Sequence, residues 1–167
     1  MVAPSLIADL GSGSGRNGQI LEKVYRKARI VNLDIAEDML AVARKKKFKI
    51  FQHQHFVCGD LESIPFQYGE IDLAFSNLAL QWCPNLSEVF GQTNKILKSG
   101  GLFIFSTLGP DTLKELKEVS SGLSEFPLVS TFLDMHIVGD KLALAGFADP
   151  VVESEIITVN YSEPMEL

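Results

Sequence analysis

Short, largely apolar runs alternate along the chain with longer segments in which apolar residues recur every three or four positions. The short runs predict five buried strands, at residues 6–10, 30–34, 55–58, 71–77 and 102–107. Residues 151–161 alternate apolar and polar positions, which predicts a sixth strand. The segments with helical spacing predict helices at residues 17–28, 86–97, 112–119 and 135–145, and another near Glu37. This order predicts a doubly wound α/β sheet within a single domain, residues 1–167.

Helical spacing also predicts which helix residues pack on the sheet. One face of the first helix is formed by Ile20, Leu21, Val24 and Tyr25. One face of the second helix is formed by Met39, Leu40 and Ala43. We therefore expect these seven side chains to lie in the core, with contact to an adenine as the alternative for Met39.

A glycine-rich turn joins the first predicted strand to the first helix. Gly11, Gly13 and Gly15 alternate with serines. Glycine allows a sharp turn that lies close against a ligand, because it has no Cβ. The helix that follows directs free N–H groups towards whatever occupies the turn. The turn therefore predicts one wall of a nucleotide-type site.

The first three predicted strands each carry an aspartate at or near the carboxyl end: Asp9, Asp34 and Asp60. In open α/β folds these strand ends meet at one edge, where ligands bind. We expect the three carboxylates to face one crevice. Asp34 is placed to accept both hydroxyls of a ribose, the alternative being that it caps the next helix.

Two registers of the glycine turn imply different nucleotides. Residues 13–18 match the dinucleotide pattern G-x-G-x-x-G, with Asp34 at a suitable distance. The second register has Asp9 two residues before Gly11, followed by Gly13 and Gly15. It resembles the first motif of the class I S-adenosylmethionine (SAM) methyltransferases. A P-loop is excluded, because no Gly-Lys-Ser/Thr follows the glycines.

The end of the fourth predicted strand is expected to face the reacting groups. Ser76 and Asn77 lie there, and Asn77 is a candidate for hydrogen bonding to substrate or cofactor. Trp82 offers an aromatic wall that also favours a sulfonium cation, the alternative being a buried anchor for the loop. His136 is a further substrate-side candidate, with a structural role at a helix start as its alternative.

Composition and charge restrict the classes of partner. Hydrophobic residues make up 46% and charged residues 22%, as in a globular domain. The net charge of −6 argues against nucleic acid. There is no apolar run of about 18 residues, so no membrane span is expected, and without a signal peptide the expected location is cytoplasmic.

The cysteines, histidines and lysines predict no further site. Cys58 and Cys83 lack metal-ligand spacing and are expected to be buried free thiols. His53 and His55 have no third ligand in view, so no metal site is expected. The basic run at residues 44–49 is expected to be a solvated helix end, away from the ligand edge.

Several later segments are more specific than the glycine motif. Residues 76–83, 106–116, 134–140 and 145–150 resemble the BioC family, the malonyl-acyl-carrier-protein O-methyltransferases of biotin synthesis. The resemblance covers almost the whole chain. It implies a Rossmann-like class I methyltransferase sheet, mainly parallel. Family members usually have a helical lid before the first motif and a last antiparallel strand, and we expect this chain to lack both.

The resemblance implies S-adenosyl-L-methionine as cofactor and an acyl-carrier-protein or CoA thioester as substrate, with the oligomeric state left open. The methylated group would be the free malonyl carboxylate, which is already ionised and needs no general base. The implied cofactor-binding residues are Asp9, Gly11, Gly13, Gly15, Asp34, Ile35, Asp60, Leu61, Ser76 and Asn77. Two alternatives stay open: a methyltransferase-like assembly factor and an NAD-linked oxidoreductase.

Overall fold

The computed structural model describes residues 3–46, 54–120 and 129–160. Five strands and five α-helices occur in these ranges. The strands are β1 (Leu6–Leu10), β2 (Arg29–Asp34), β3 (Gln54–Cys58), β4 (Ile71–Asn77) and β5 (Leu97–Ser106). The helices are α1 (Arg16–Val24), α2 (Glu37–Lys45), α3 (Leu86–Ile96), α4 (Lys114–Ser120) and α5 (Met135–Leu144). Short 3-10 turns lie at Leu61–Ser63 and Leu80–Trp82.

The five described strands form one parallel sheet in the order β3-β2-β1-β4-β5. β1 lies at its centre, because β2 pairs with one side of it and β4 with the other. The connection after β1 and the return to β4 therefore run in opposite directions along the sheet, which creates a crevice at the carboxyl ends of β1 and β4. The prediction of a doubly wound, Rossmann-like parallel sheet is confirmed.

Helices cover both faces of the sheet, and alternate residues of β1 enter different cores. Ile7 packs with Leu21 of α1 on one face. Ala8 and Leu10 join a larger cluster on the other face, which contains residues of α3 and α5. Phe90 of α3 is fully buried in this second core. These two cores hold the strand ends, and thus the crevice, in fixed positions.

The predicted inner faces of the first two helices are partly wrong. Ile20 and Val24 are 52% and 65% exposed, and Met39 is 42% exposed. α1 instead turns Gly18 towards the sheet, where an added Cβ would lie 2.5 Å from Oδ1 of Asn32. This close approach at a glycine sets the rotation of α1 and carries the two apolar side chains outwards.

Several elements differ from the predictions in their bounds or their existence. Residues 151–160 form no strand, because none of the described strands pairs with them, and Ile156 is 83% exposed. Gly100 and Gly101 lie inside β5 at an irregular register rather than ending α3. α4 begins at Lys114, two residues later than predicted. No helix in the described ranges is both long and apolar enough to cross a membrane.

The crevice depends on a close contact between the loops that follow β1 and β4. A Cβ added to Gly11 would lie 2.3 Å from Cβ of Ala79. Gly11 also has φ +74°, in the left-handed region that favours glycine. Both the space and the backbone conformation therefore require glycine at this position.

Replacing Gly11 with alanine should lower the free energy of unfolding by about 2–5 kcal/mol, the sum of left-handed strain and overpacking. Gly91→Ala is the matched control, since no atom of the described residues lies within 4 Å of the added Cβ. This change should stabilise helix α3 by about 1 kcal/mol. Gly11→Ala with Ala79→Gly should recover only the steric part. Urea denaturation measures all three, and equal stability of the two single variants would contradict the account.

Candidate functional site

The glycine loop folds across the end of β2. The main-chain N–H groups of Gly11 and Ser12 both donate to the carbonyl of Leu33, at 2.8 and 3.0 Å. Gly13 and Gly15 have positive φ angles of 52° and 75°. No atom of the described residues lies closer than 3.8 Å to a Cβ added at Gly13, so the loop backbone is open to an incoming ligand there.

Asp34 ties this loop to the start of α2. Its Oδ2 accepts from the N–H of Gly13 at 2.6 Å, and its Oδ1 accepts from the N–H of Ala36 at 2.9 Å. The N-cap residue of α2 is Ala36, without a side-chain cap, so the helix-cap alternative for Asp34 is wrong. Each carboxylate oxygen has a second lone pair, and the side chain is only half-buried. Asp34 is therefore placed to accept further hydrogen bonds from a ligand.

Asp9 does not face the crevice as predicted. Its side chain is fully buried on the face of β1 that α1 covers, and neither oxygen has a hydrogen-bond partner among the described residues. Burial raises the pKa of Asp9 to about 7; the nearby N–H of Gly18 opposes the shift and the carboxylate of Asp34 adds to it. Asp9 thus lies beneath the glycine loop, close enough to Asp34 for repulsion between the two charges.

The β2 and β3 ends supply apolar and polar walls. Ile35 is 70% exposed beside Asp34, and Met39 reaches towards Gly13. Asp60 is exposed, and its Oδ1 accepts from the N–H of Glu62 at 2.9 Å. Leu61 is buried in the core rather than lining the crevice.

Two predictions about polar residues near this edge are wrong. Cys58 is exposed rather than buried, because it is the last residue of the edge strand β3. Lys46 is not remote from the ligand edge: its Nζ donates to the carbonyl and hydroxyl oxygens of Ser14, at 2.7 and 3.0 Å. The direction of α2 suggested that its end would lie far from the ligand edge, but the long side chain of Lys46 spans that distance. Lys47, Lys49 and His53 lie outside the described residues.

The end of β4 has one structural and two exposed polar features. The buried hydroxyl of Ser76 donates to the carbonyl of Leu10 at 2.8 Å, which joins β4 to β1. Asn77 is exposed, and its Oδ1 accepts from the hydroxyl of Ser106 at 2.7 Å. Trp82 is 70% exposed, so the buried-anchor interpretation is wrong.

His136 is not brought together with these groups. It lies in an open groove of about 360 Å³ with Asp140 and Val152. The main-chain N–H of His136 donates to Oδ1 of Asp134 at 2.8 Å, and Asp134 is the N-cap of α5. Sequence patterns did not point to Ala79, which contacts Gly11 from the loop after β4, because a single alanine has no distinctive pattern.

The crevice fits S-adenosylmethionine by its chemistry. The cofactor has a ribose diol, a flat base and a cationic methionine end. Asp34 provides carboxylate acceptors, Ile35 and Met39 provide apolar surface, and the loop at Gly13 leaves room for close approach. A cation bound nearby would favour the ionised form of Asp9, whose pKa burial has raised.

Asp9 makes stability depend on pH. Its folded pKa of about 7 exceeds the ordinary aspartate pKa of 3.8, so between these values the unfolded chain loses a proton that the folded protein keeps. The free energy of unfolding should therefore fall by up to about 1.4 kcal/mol per pH unit from pH 5 to pH 7, without ligand. Asp9→Asn should flatten this dependence in thermal and urea unfolding. Asp140→Asn, at an exposed aspartate, should leave the slope as in the wild type, and a retained slope in Asp9→Asn would refute the assignment.

Comparisons with known proteins agree with this geometry. A family model described as a methyltransferase domain matches residues 8–105. The chain is 41% identical over 165 residues to the malonyl-[acyl-carrier protein] O-methyltransferase of Gallionella capsiferriformans, covering 96% of this chain and 57% of that protein. It is 40% identical over 169 residues to the protein of the same name from Methylovorus sp., covering 98% and 57%.

The fold has a solved counterpart in an S-adenosylmethionine dependent methyltransferase from Mesorhizobium loti, with TM-score 0.69, 24% identity, and coverage of 85% of this chain and 73% of that one. The chain thus spans 57% of the length of the two curated relatives. The family match favours the register that begins at Asp9 over the dinucleotide register. Since residues 8–105 are more than half of the chain, it belongs to the methyltransferase domain family, with the sheet of a class I S-adenosylmethionine-dependent methyltransferase.

Proposed function

We propose that the chain binds S-adenosyl-L-methionine in the crevice and methylates the free carboxylate of a malonyl-acyl-carrier-protein thioester, a step of biotin synthesis. The observation that carries this proposal is the identity of about 40% to two proteins named for that reaction, over nearly the whole chain. The carrier protein is the proposed partner, and a CoA thioester is the alternative carrier. The cytoplasmic location expected from the sequence stays a prediction.

The proposed cofactor-binding residues have different tasks. Asp34 accepts the ribose hydroxyls while it holds Gly13 and Ala36 in place. Ile35 and Asp60 contact the base, through an apolar surface and a carboxylate acceptor. Asp9, Leu61 and Ser76 support these groups from below, since all three side chains are buried.

The chain needs to align the reactants more than to move protons. Bound S-adenosylmethionine supplies a methyl group activated by its cationic sulfur. The substrate carboxylate is ionised at neutral pH, because ordinary carboxyl pKa values are about 4. Alignment and exclusion of water are therefore the main contributions of the protein, and together they can supply several kcal/mol.

Asn77 and Trp82 are the proposed substrate-side residues. Because Ser106 donates to the amide oxygen of Asn77, the two N–H donors of that amide remain for a ligand. The exposed ring of Trp82 offers an apolar wall, and its face also favours a cation. We assign no step to His136, which opens onto a different groove.

Asp34→Asn should weaken binding of S-adenosylhomocysteine by about 10-fold or more, because an amide keeps one acceptor and loses the charge-assisted one, worth about 1.5–3 kcal/mol. Asp38→Asn is the matched control, since Asp38 is an exposed acid in the first turn of α2. Isothermal titration calorimetry measures both. Equal affinity of the Asp34 variant and the wild type would remove the ribose assignment.

Incubation with S-adenosylmethionine and malonyl-acyl-carrier protein should produce the methyl ester, detected by intact-protein mass spectrometry. Acetyl-acyl-carrier protein is the control, because it lacks the free carboxylate and should remain unchanged. Cofactor binding without ester formation would support the assembly-factor alternative instead.

A further inference from the structure

A cavity of about 300 Å³ lies on the substrate side, next to the crevice. It is enclosed by the loops that follow β4 and β5, the start of α3 and one face of α5. The loop after β4 borders both the cavity and the cofactor crevice, since Ala79 contacts Gly11 while the next residue, Leu80, lines the cavity. Most of its walls are apolar, and they include Leu86, Leu108, Phe132 and Val138.

Lys141 is the one charged side chain among the described residues that line this cavity. Its Nζ donates to the hydroxyl of Ser87 at 2.9 Å. An ammonium group has three donors, so two remain for a ligand. Among the described residues, no carboxylate forms an ion pair with Lys141; the ion pair found there joins Lys98 and Asp72.

Two acidic residues, Asp60 and Glu62, lie near the Cys83–Asn85 side of the cavity. Oε1 of Glu62 accepts from the N–H of Asn85 at 2.6 Å. Burial, together with the charges of Glu62 and Asp60, raises the pKa of the Cys83 thiol to about 11. Cys83 therefore stays a neutral thiol at physiological pH and does not compete for the lysine. The cavity thus combines mostly apolar walls, a few uncharged polar side chains and a single positive charge.

We propose that this cavity holds the acyl group of the substrate and that Lys141 binds its free carboxylate. The proposal rests on the proposed function, and it specifies the substrate class as a short acyl thioester that ends in a carboxylate. A charge pair is stronger where apolar walls exclude water, so a carboxylate-ended chain gains affinity here that a neutral acyl chain does not.

The kinetic effect should appear mainly in KM. The carboxylate loses its negative charge as it accepts the methyl group, so a lysine contact stabilises the bound substrate at least as much as the transition state. Removal of that contact weakens substrate binding without slowing the bound complex. Lys141→Met should therefore raise KM for the malonyl thioester about 10-fold or more, with kcat little changed.

Binding is tested without methyl transfer, using the malonyl and acetyl thioesters of N-acetylcysteamine. Methyl NMR titration of the wild type should show shifts at Leu80 and Val138 and a clear preference for the malonyl thioester. Lys141→Met should lose that preference, and Lys141→Arg should keep most of it. Lys114→Met, at an exposed lysine of α4, is the control and should behave as the wild type.

Unchanged S-adenosylhomocysteine affinity in Lys141→Met would show that the variant is folded. Equal affinity of the wild type for both thioesters, or an unchanged malonyl preference in Lys141→Met, would overturn the proposal. Failure of the proposed function gives a different result: the wild type would bind the malonyl thioester through Lys141 but form no methyl ester.

Discussion

The contact between Gly11 and Ala79 is the constraint on which the rest of the site depends. It joins the loops that follow two neighbouring parallel strands, at a distance that leaves no room for a Cβ on Gly11. The buried hydrogen bond from Ser76 to Leu10 holds the same two strand ends together one layer below. The loop after β4 can therefore form a wall of the crevice and a wall of the cavity of about 300 Å³ that Lys141 lines.

Charge is distributed differently on the two sides of that loop. The crevice side has Asp34 at its rim and Asp9 beneath the glycine loop, and a cationic group nearby would favour the ionised form of Asp9. The cavity side has Lys141, which suits an anionic group. The two sides of the loop therefore favour groups of opposite charge.

Much of the fold could be predicted because parallel strands produce apolar runs that local sequence shows. β1 and β4 have the predicted bounds, and β2 and β3 begin one residue earlier than predicted. The position of Asp34 against the glycine loop could be predicted in the same way, and its contact with a ribose stays a prediction. The glycine turn itself required positive φ angles, and these are present.

The predictions that were wrong concern features that depend on contacts between segments distant in the sequence. The rotation of α1 follows from the close approach of Gly18 to Asn32, and helical spacing alone does not reveal it. The run at residues 151–160 alternates like a strand, but alternation does not provide a hydrogen-bonded neighbour. Lys141 had no signal either, because its importance comes from the apolar residues that other segments place around it.

Calorimetric titration of the chain with S-adenosylhomocysteine and with NAD tests directly whether the crevice binds S-adenosylmethionine. We expect micromolar binding of S-adenosylhomocysteine and no heat with NAD. The crevice offers groups that suit a ribose and a cationic methionine end rather than a pyrophosphate. Binding of NAD alone would contradict the account and would restore the dinucleotide register at residues 13–18.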